Sequence, residues 1–309
     1  MAELSKEAQA DLQQTWDMNK RAVFNDPKVW QEIIDMCTAN PFPFVIPDEV
    51  RDRDVVTRYE TAGGSEYFTL GKKDGSELPE YNIVFAHGGG FLFQMEGVYW
   101  DLFDRYLETM DCVITLLAYP LMPQHDYVDG LDYCMDVYED VLKQGFGKKT
   151  VFMGDSAGGY LALAMAQLAL ERGLPQPDTI MLYSPCLDMS ENQVEKMRPL
   201  QDKDAYLGIY GVTQLGKTWC ASVPEDQLAA WPPSPLYGPL EGLAPIHCIC
   251  GSEEILKFDT LALQEKAAEL GIDIDVYVGE GLWHDYILGQ HVPEARDAFD
   301  LSVKMIQGE

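Results

Sequence analysis

The sequence predicts an α/β fold built on a mostly parallel sheet with helices on both faces. Two observations carry this. Short, near-continuous apolar runs recur at Tyr81–Ala86, Cys112–Tyr119, Thr150–Met153, Thr179–Tyr183, Ile246–Cys250 and Ile274–Val278. Helical patterns lie between most of them, at Tyr99–Thr109, Tyr127–Lys143, Ala157–Arg172 and Phe258–Leu270. Strands that are apolar on both faces and alternate with helices belong to a parallel sheet covered on both sides. An apolar content of 47% over 309 residues supplies the core that such a sheet needs.

Taken in order, residues 1–40 carry helical spacing at Leu4, Ala8, Leu12, Thr15 and Trp16. A second helical segment opens at Asp26-Pro27, an N-cap followed by proline at the first helical position. Asn40 to Pro47 holds three prolines and reads as an extended crossing segment, its aromatics either packing or lining a cleft. Val55–Tyr59 and Glu66–Leu70, parted by Gly63-Gly64, read as an antiparallel pair. Gly271 is placed to stop the fourth helix. The alternation breaks between Leu187 and Pro245, with helical pieces near Val194–Pro199 and Ala205–Ser222. That span is too long for a plain connection and reads as an insertion over the C-terminal edge of the sheet. The expected organisation is a single domain over 1–309, with a cap from 1–47 and 188–232 and a core from 48–187 and 233–309.

A formal charge of −29 repels nucleic acid and anionic membranes, which excludes both as partners. A neutral substrate escapes that repulsion, and an anionic product is pushed outward. The seven cysteines form no small secreted framework, and Cys112, Cys248 and Cys250 lie in apolar strand-like runs. Residues 1–20 lack an apolar signal core, and no stretch approaches the roughly twenty apolar residues needed to cross a bilayer. The expectation is a soluble, reduced, cytoplasmic protein; a homodimer is compatible with the sequence and not required by it.

The chemistry starts at Gly154-Asp155-Ser156-Ala157-Gly158-Gly159, where a strand-like run stops and a helical pattern begins at once. Gly-x-Ser-x-Gly between strand and helix is a nucleophile elbow, a turn so sharp that only small neighbours let the backbones cross. His87-Gly88-Gly89-Gly90-Phe91 follows the Tyr81–Ala86 strand. Its glycines allow amides to approach an oxyanion, alongside the amide of Ala157 after the nucleophile. Of five histidines, His284 falls in the loop after the last strand, where a base for this elbow belongs. His87 is part of the glycine loop, His247 lies in a strand, His125 precedes the elbow and His291 starts the last helix. The acid must come from Glu253, Glu254 or Asp259, since all satisfy the order Ser…acid…His. Glu254 is preferred because the following Ile255-Leu256 pair anchors it; Glu253 is its rival, and Asp259 is expected to cap a helix. No signal for a metal, nucleotide or flavin is present, so no cofactor is expected.

Together His87–Phe91, Tyr119–His125, Gly154–Gly159, Ser234–Gly238, Gly251–Leu256 and Gly281–His284 resemble, in order, the hormone-sensitive-lipase-like (bacterial type IV) esterases. These are α/β-hydrolases, and the resemblance covers roughly residues 81–290. It implies about eight mostly parallel strands, a helical cap and hydrolysis of short acyl esters. It also implies Ser156 as nucleophile, His284 as base, Glu254 as acid, and Gly89, Gly90 and Ala157 as oxyanion donors. Four departures stand out: Glu254 where aspartate is usual, Tyr160 where asparagine is common, Pro120 and Met122 for arginine and alanine, and Gln124 for glutamate.

A small neutral ester is thus the expected substrate. Phe91, Tyr160 and Trp283, with Phe93 and Trp219, are candidates to shape its pocket. A neutral base implies activity that falls as pH drops through roughly 6–7. Amide, formamide or sugar-acetate cleavage on the same triad is the rival chemistry. A ligand-binding protein that has lost its base is the rival outside enzymes, and an intact Ser156, Glu254 and His284 speaks against it.

Overall fold

The computed structural model describes residues 4–95 and 97–309; residues 1–3 of the expected cap segment lie outside them. The chain opens with α1 (Lys6–Asp17), α2 (Ala22–Asn25), α3 (Pro27–Ala39) and α4 (Asp48–Arg53). Ser5 caps α1 by accepting from the Ala8 amide, and Asp26 caps α3 by accepting from Lys28. An antiparallel pair follows, β1 (Val55–Glu60) and β2 (Glu66–Gly71). Then come β3 (Tyr81–Ala86), α5 (Gly97–Thr109), β4 (Cys112–Leu117), α6 (Tyr127–Gln144), β5 (Lys149–Asp155), α7 (Ala157–Glu171) and β6 (Thr179–Tyr183). After the insertion, which carries α8 (Val194–Met197) and α9 (Ile209–Trp219), the chain finishes with β7 (Ile246–Gly251), α10 (Lys257–Glu269), β8 (Asp275–Gly279) and α11 (Pro293–Gln307).

The eight strands form one sheet in the order β1-β2-β4-β3-β5-β6-β7-β8, parallel from β4 to β8. Side chains alternate between its faces. Val84, Ala86 and Phe152 join one apolar cluster with α6, α7 and α10 residues such as Leu131, Leu161 and Leu263. Ile83, Phe85, Val151 and Met153 join the other, with Phe103 of α5 and Phe299 of α11. Helix α7 is apolar nearly all round and buried along almost its whole length, as a helix running under a sheet must be.

Several helix boundaries differ from the sequence expectation, and two of the differences have a clear local reason. The expected Ala205–Ser222 helix begins only at Ile209, because Asp204 holds the amides of Tyr206 and Leu207 in a turn and Gly208 is extended. His291 stands ahead of α11, with Nε2 3.2 Å from Asp11, and Pro293 opens the helix. Gly271 does end α10, at φ +71°.

Residues of the N-terminal helices and of the insertion touch each other. A Cβ on Gly211 of α9 would lie 2.4 Å from Cα of Phe24 in α2, so these backbones meet closely. Gln201 donates to the Asn25 side chain at 2.6 Å and accepts from the Ile209 amide at 2.9 Å, bracing the same junction.

Candidate active site

Four loops converge at the C-terminal ends of β3, β5, β7 and β8, the edge of a parallel sheet where ligand sites form. Ser156 sits between β5 and α7 at φ +49°, ψ −116°, a backbone region costly for a residue with a Cβ. Its surroundings hold it there. Its amide donates to the Tyr183 carbonyl at 2.8 Å, and its carbonyl accepts from the amides of Cys186 (3.0 Å) and Tyr160 (3.3 Å). The small neighbours are obligatory. A Cβ on Gly158 would fall 1.9 Å from the Ala86 carbonyl oxygen, and one on Gly154 2.3 Å from that of Gly158.

The glycine loop is pinned to the same elbow. The Gly88 amide donates to Asp155 Oδ1 at 2.9 Å and to the Tyr99 hydroxyl at 3.0 Å. That hydroxyl in turn donates to Asp155 Oδ2 at 2.8 Å. The His87 ring stacks on Tyr119 with centroids 4.4 Å apart, and burial lowers its pKa to about 4, so it is neutral packing. Gly89 and Gly90 take φ +91° and +61°. Among the described residues the amides of Gly89, Gly90 and Ala157 donate to no protein acceptor, and Ala157 opens α7. They are three unspent donors, one of them on the residue that follows Ser156.

Oγ of Ser156 lies 3.1 Å from Nε2 of His284, whose Nδ1 lies 2.7 Å from Oε2 of Glu254. The other Glu254 oxygen accepts from the Gly251 amide at 3.2 Å, which fixes the carboxylate. Exposure falls along this line, from 8% at Ser156 through 6% at His284 to nil at Glu254. Glu253 points elsewhere, its carboxylate half-buried and 3.9 Å from Lys203. Asp259 does not cap a helix of its own. It lies inside α10, and its Oδ2 accepts from the amides of Leu187 (2.7 Å) and Asp188 (3.0 Å), where the insertion departs from the core.

The imidazole is ringed by carboxylates that sequence reasoning did not assemble. Asp285 brings Oδ2 to 3.0 Å from Nε2 of His284. Asp204 accepts from the Ile255 amide at 2.8 Å, beside Glu254, and Asp155 lies at the end of β5. Burial alone would depress the imidazole, but Asp285 and then Glu254 outweigh it and hold His284 well above the ordinary histidine range. Burial pushes the Glu254 carboxyl up, with the imidazole pulling back. An acid at the end of the apolar run Val151–Gly154 was the one sequence signal that could have flagged Asp155.

The candidate pocket residues turn out to be packed. Phe91 is fully buried and stacks on Trp219, centroids 4.1 Å apart and planes 4° apart, with Tyr160 edge-on at 5.4 Å. The Tyr160 hydroxyl donates to the Pro232 carbonyl at 3.3 Å. Trp283 lies in the core cluster on the other face of the sheet. Gln124 ties the loop at 121–124 to the N-terminal region by donating to the Cys37 carbonyl at 2.7 Å. A cleft of about 740 Å³ opens between Phe42, Phe44, Gly64, Tyr133 and Gln124, and Ser156 is not on its wall. Phe44 there also stacks on Phe68 at 5.2 Å, so these aromatics both pack and line a cleft, away from the serine. Among the described residues no group of three or more His, Cys, Asp or Glu converges as a metal site requires, and no helix is long and apolar enough to cross a membrane.

Comparison with known proteins gives a consistent picture. A family model described as the alpha/beta hydrolase fold matches residues 83–288. An esterase of Acinetobacter venetianus is 30% identical over 70% of this chain and 71% of its own. Esterase LipU of Mycobacterium tuberculosis is 30% identical over 69% of this chain and 73% of its own. A crystal structure of an esterase from the bacterial hormone-sensitive lipase family superposes with a TM-score of 0.80, at 20% identity, over 100% of this chain and 99% of that one.

Proposed function

The chain belongs to the alpha/beta hydrolase family, and from that premise we propose that it is a serine carboxylesterase acting on short-chain esters of neutral alcohols. The observation that carries this reading is the line from Ser156 to His284 to Glu254, at 3.1 and 2.7 Å, with the amides of Gly89, Gly90 and Ala157 free of protein acceptors among the described residues. Ser156 is the nucleophile, His284 the base and Glu254 the acid that orients and stabilises the imidazolium. In acylation the Ser156 proton passes to Nε2 as Oγ bonds to the acyl carbon. The amides of Gly89, Gly90 and Ala157 receive the oxyanion, each such donor contributing about 3 kcal/mol. His284 then protonates the departing alcohol, and a water that it activates releases the acid.

The filled space beside the glycine loop, where Phe91, Trp219 and Tyr160 interlock, favours short acyl groups. Residues 1–47 and 188–232 act as the cap in this reading, since their contacts at Phe24 and Gly211 hold α9 and its Trp219 over the loop. The seven cysteines are all free and buried, which suits a reducing cytoplasm. Hydrolysis of p-nitrophenyl acetate, butyrate and decanoate tests the proposal together with fluorophosphonate labelling. Turnover of the two short esters and labelling lost in Ser156→Ala are expected. No turnover of any ester, with Ser156 unlabelled, overturns it, and preference for decanoate points to a lipase instead.

A further inference from the structure

The nitrogen that must exchange the proton has two neighbours rather than one. Nε2 of His284 is 3.1 Å from Ser156 Oγ and 3.0 Å from Asp285 Oδ2. Nδ1 is already occupied by Glu254, so Asp285 does not duplicate the orienting acid. Its placement is built. Asp285 sits in the left-handed region at φ +55°, its amide donates to Ser184 Oγ at 3.1 Å, and its carbonyl accepts from the Leu288 amide at 3.0 Å. Ser184, which anchors it from the end of β6, is itself at φ +42°. Oδ1 of Asp285 is buried and has no partner among the described residues.

We propose that Asp285 is a positioning residue acting through His284, a second carboxylate that receives the Nε2–H of the imidazolium while the tetrahedral species exists. The inference rests on the reading of His284 as base. The step balances without a further reactant. Oγ–H of Ser156 breaks as Oγ bonds to the acyl carbon, the proton rests on Nε2 and is shared with Asp285, and it leaves to the alcohol oxygen as the ester bond breaks. With Nδ1–H donated to Glu254, a neutral imidazole offers Nε2 only as an acceptor, which a carboxylate at 3.0 Å opposes. The resting contact therefore favours the imidazolium, and the base is freed only as that proton is lost.

The charged and titratable groups around the ring are Glu254 after β7, Asp155 at the end of β5, Asp204 in the insertion and Asp285 itself, with the Tyr99 and Tyr206 hydroxyls beyond them. Among these carboxylates Asp285 is the one within 3.0 Å of Nε2.

The test compares the parent chain with Asp285→Asn and Asp285→Gly; glycine tolerates the left-handed backbone at this position without strain. Two quantities are read: kcat/KM for p-nitrophenyl butyrate against pH, and titration of the His284 ring by NMR. In both variants the ring midpoint and the acid limb of kcat/KM should move down together by about one pH unit or more. The plateau should fall about tenfold. An unmoved ring midpoint in both variants overturns the proposal, as does a lower plateau with an unmoved acid limb, which is what a purely structural role would give. If the parent chain turns over no ester, the esterase reading fails, and the ring titration still decides whether Asp285 partners His284.

Discussion

The amide of Gly88 donates to Oδ1 of Asp155 at 2.9 Å, joining the glycine loop to the residue immediately before Ser156. One buried carboxylate thus positions the glycine loop and Ser156, the oxyanion donors and nucleophile of the proposed mechanism, with the Tyr99 hydroxyl closing the triangle. Tyr99→Phe removes one corner. We expect kcat to fall about tenfold with KM little changed, as loss of one hydrogen bond in a preorganised loop implies. Asp155→Ala leaves the Gly88 amide and the tyrosine without their acceptor, and urea titration should show a loss of about 2–4 kcal/mol.

The two adjacent glutamates separate cleanly. Glu254→Ala should lower kcat by about four orders of magnitude, because the imidazole loses the partner that fixes its tautomer. Glu253→Ala, whose carboxylate faces Lys203, should stay within about twofold of the parent. Steady-state kinetics on p-nitrophenyl butyrate decides, and the reverse result reassigns the acid.

The acid limb of activity should lie above the ordinary histidine range. The base must be neutral, and His284 is held well above 6.5 by Asp285 and Glu254. A raised pKa means that more of the enzyme is protonated at neutral pH, so kcat/KM should still be climbing above pH 7. This moves upward the limb that the sequence alone placed near 6–7. A kcat/KM profile that is flat from pH 6 would contradict it.

Glycines at the elbow and at a helix end should respond very differently to alanine. In Gly158→Ala the new Cβ meets backbone at 1.9 Å, with no side chain able to yield, and the loss should reach about 3 kcal/mol or more. In Gly145→Ala only the left-handed φ of +65° is penalised, in open space, at about 1–2 kcal/mol. Thermal melts of the two variants give the comparison.

Trp219→Ala should cost about 3–5 kcal/mol for the cavity left against Phe91. The same space lies beside the glycine loop, so the variant should also accept longer acyl chains. A chain-length series from acetate to decanoate measures the shift.

What was legible in the sequence was what local pattern carries. The apolar runs located the parallel strands, Asp26-Pro27 started a helix, and the elbow and glycine loop announced themselves by spacing. The strand read as Cys112–Tyr119 stops at Leu117, an error of the size that end fraying produces. Asp155, Asp204, Asp259 and Asp285 were not legible in the same way. Each is a lone carboxylate whose partner is a backbone amide or a ring brought near by tertiary folding, and no periodicity encodes that. The aromatic candidates were ambiguous for a related reason. Aromatic residues next to a site look alike in sequence whether they face a ligand or, as Phe91 does, another ring.

The order in which the chain is made gives the Ser156–His284 contact another meaning. The two residues are 128 apart. The glycine loop, the elbow and β3 to β6 all leave the ribosome before β7 has been translated, and β8 adds at the open edge of the sheet after it. Throughout that interval the serine has no base to activate it. On the proposed mechanism, a chain synthesised only through β7 holds the nucleophile without its base and should be inactive toward esters.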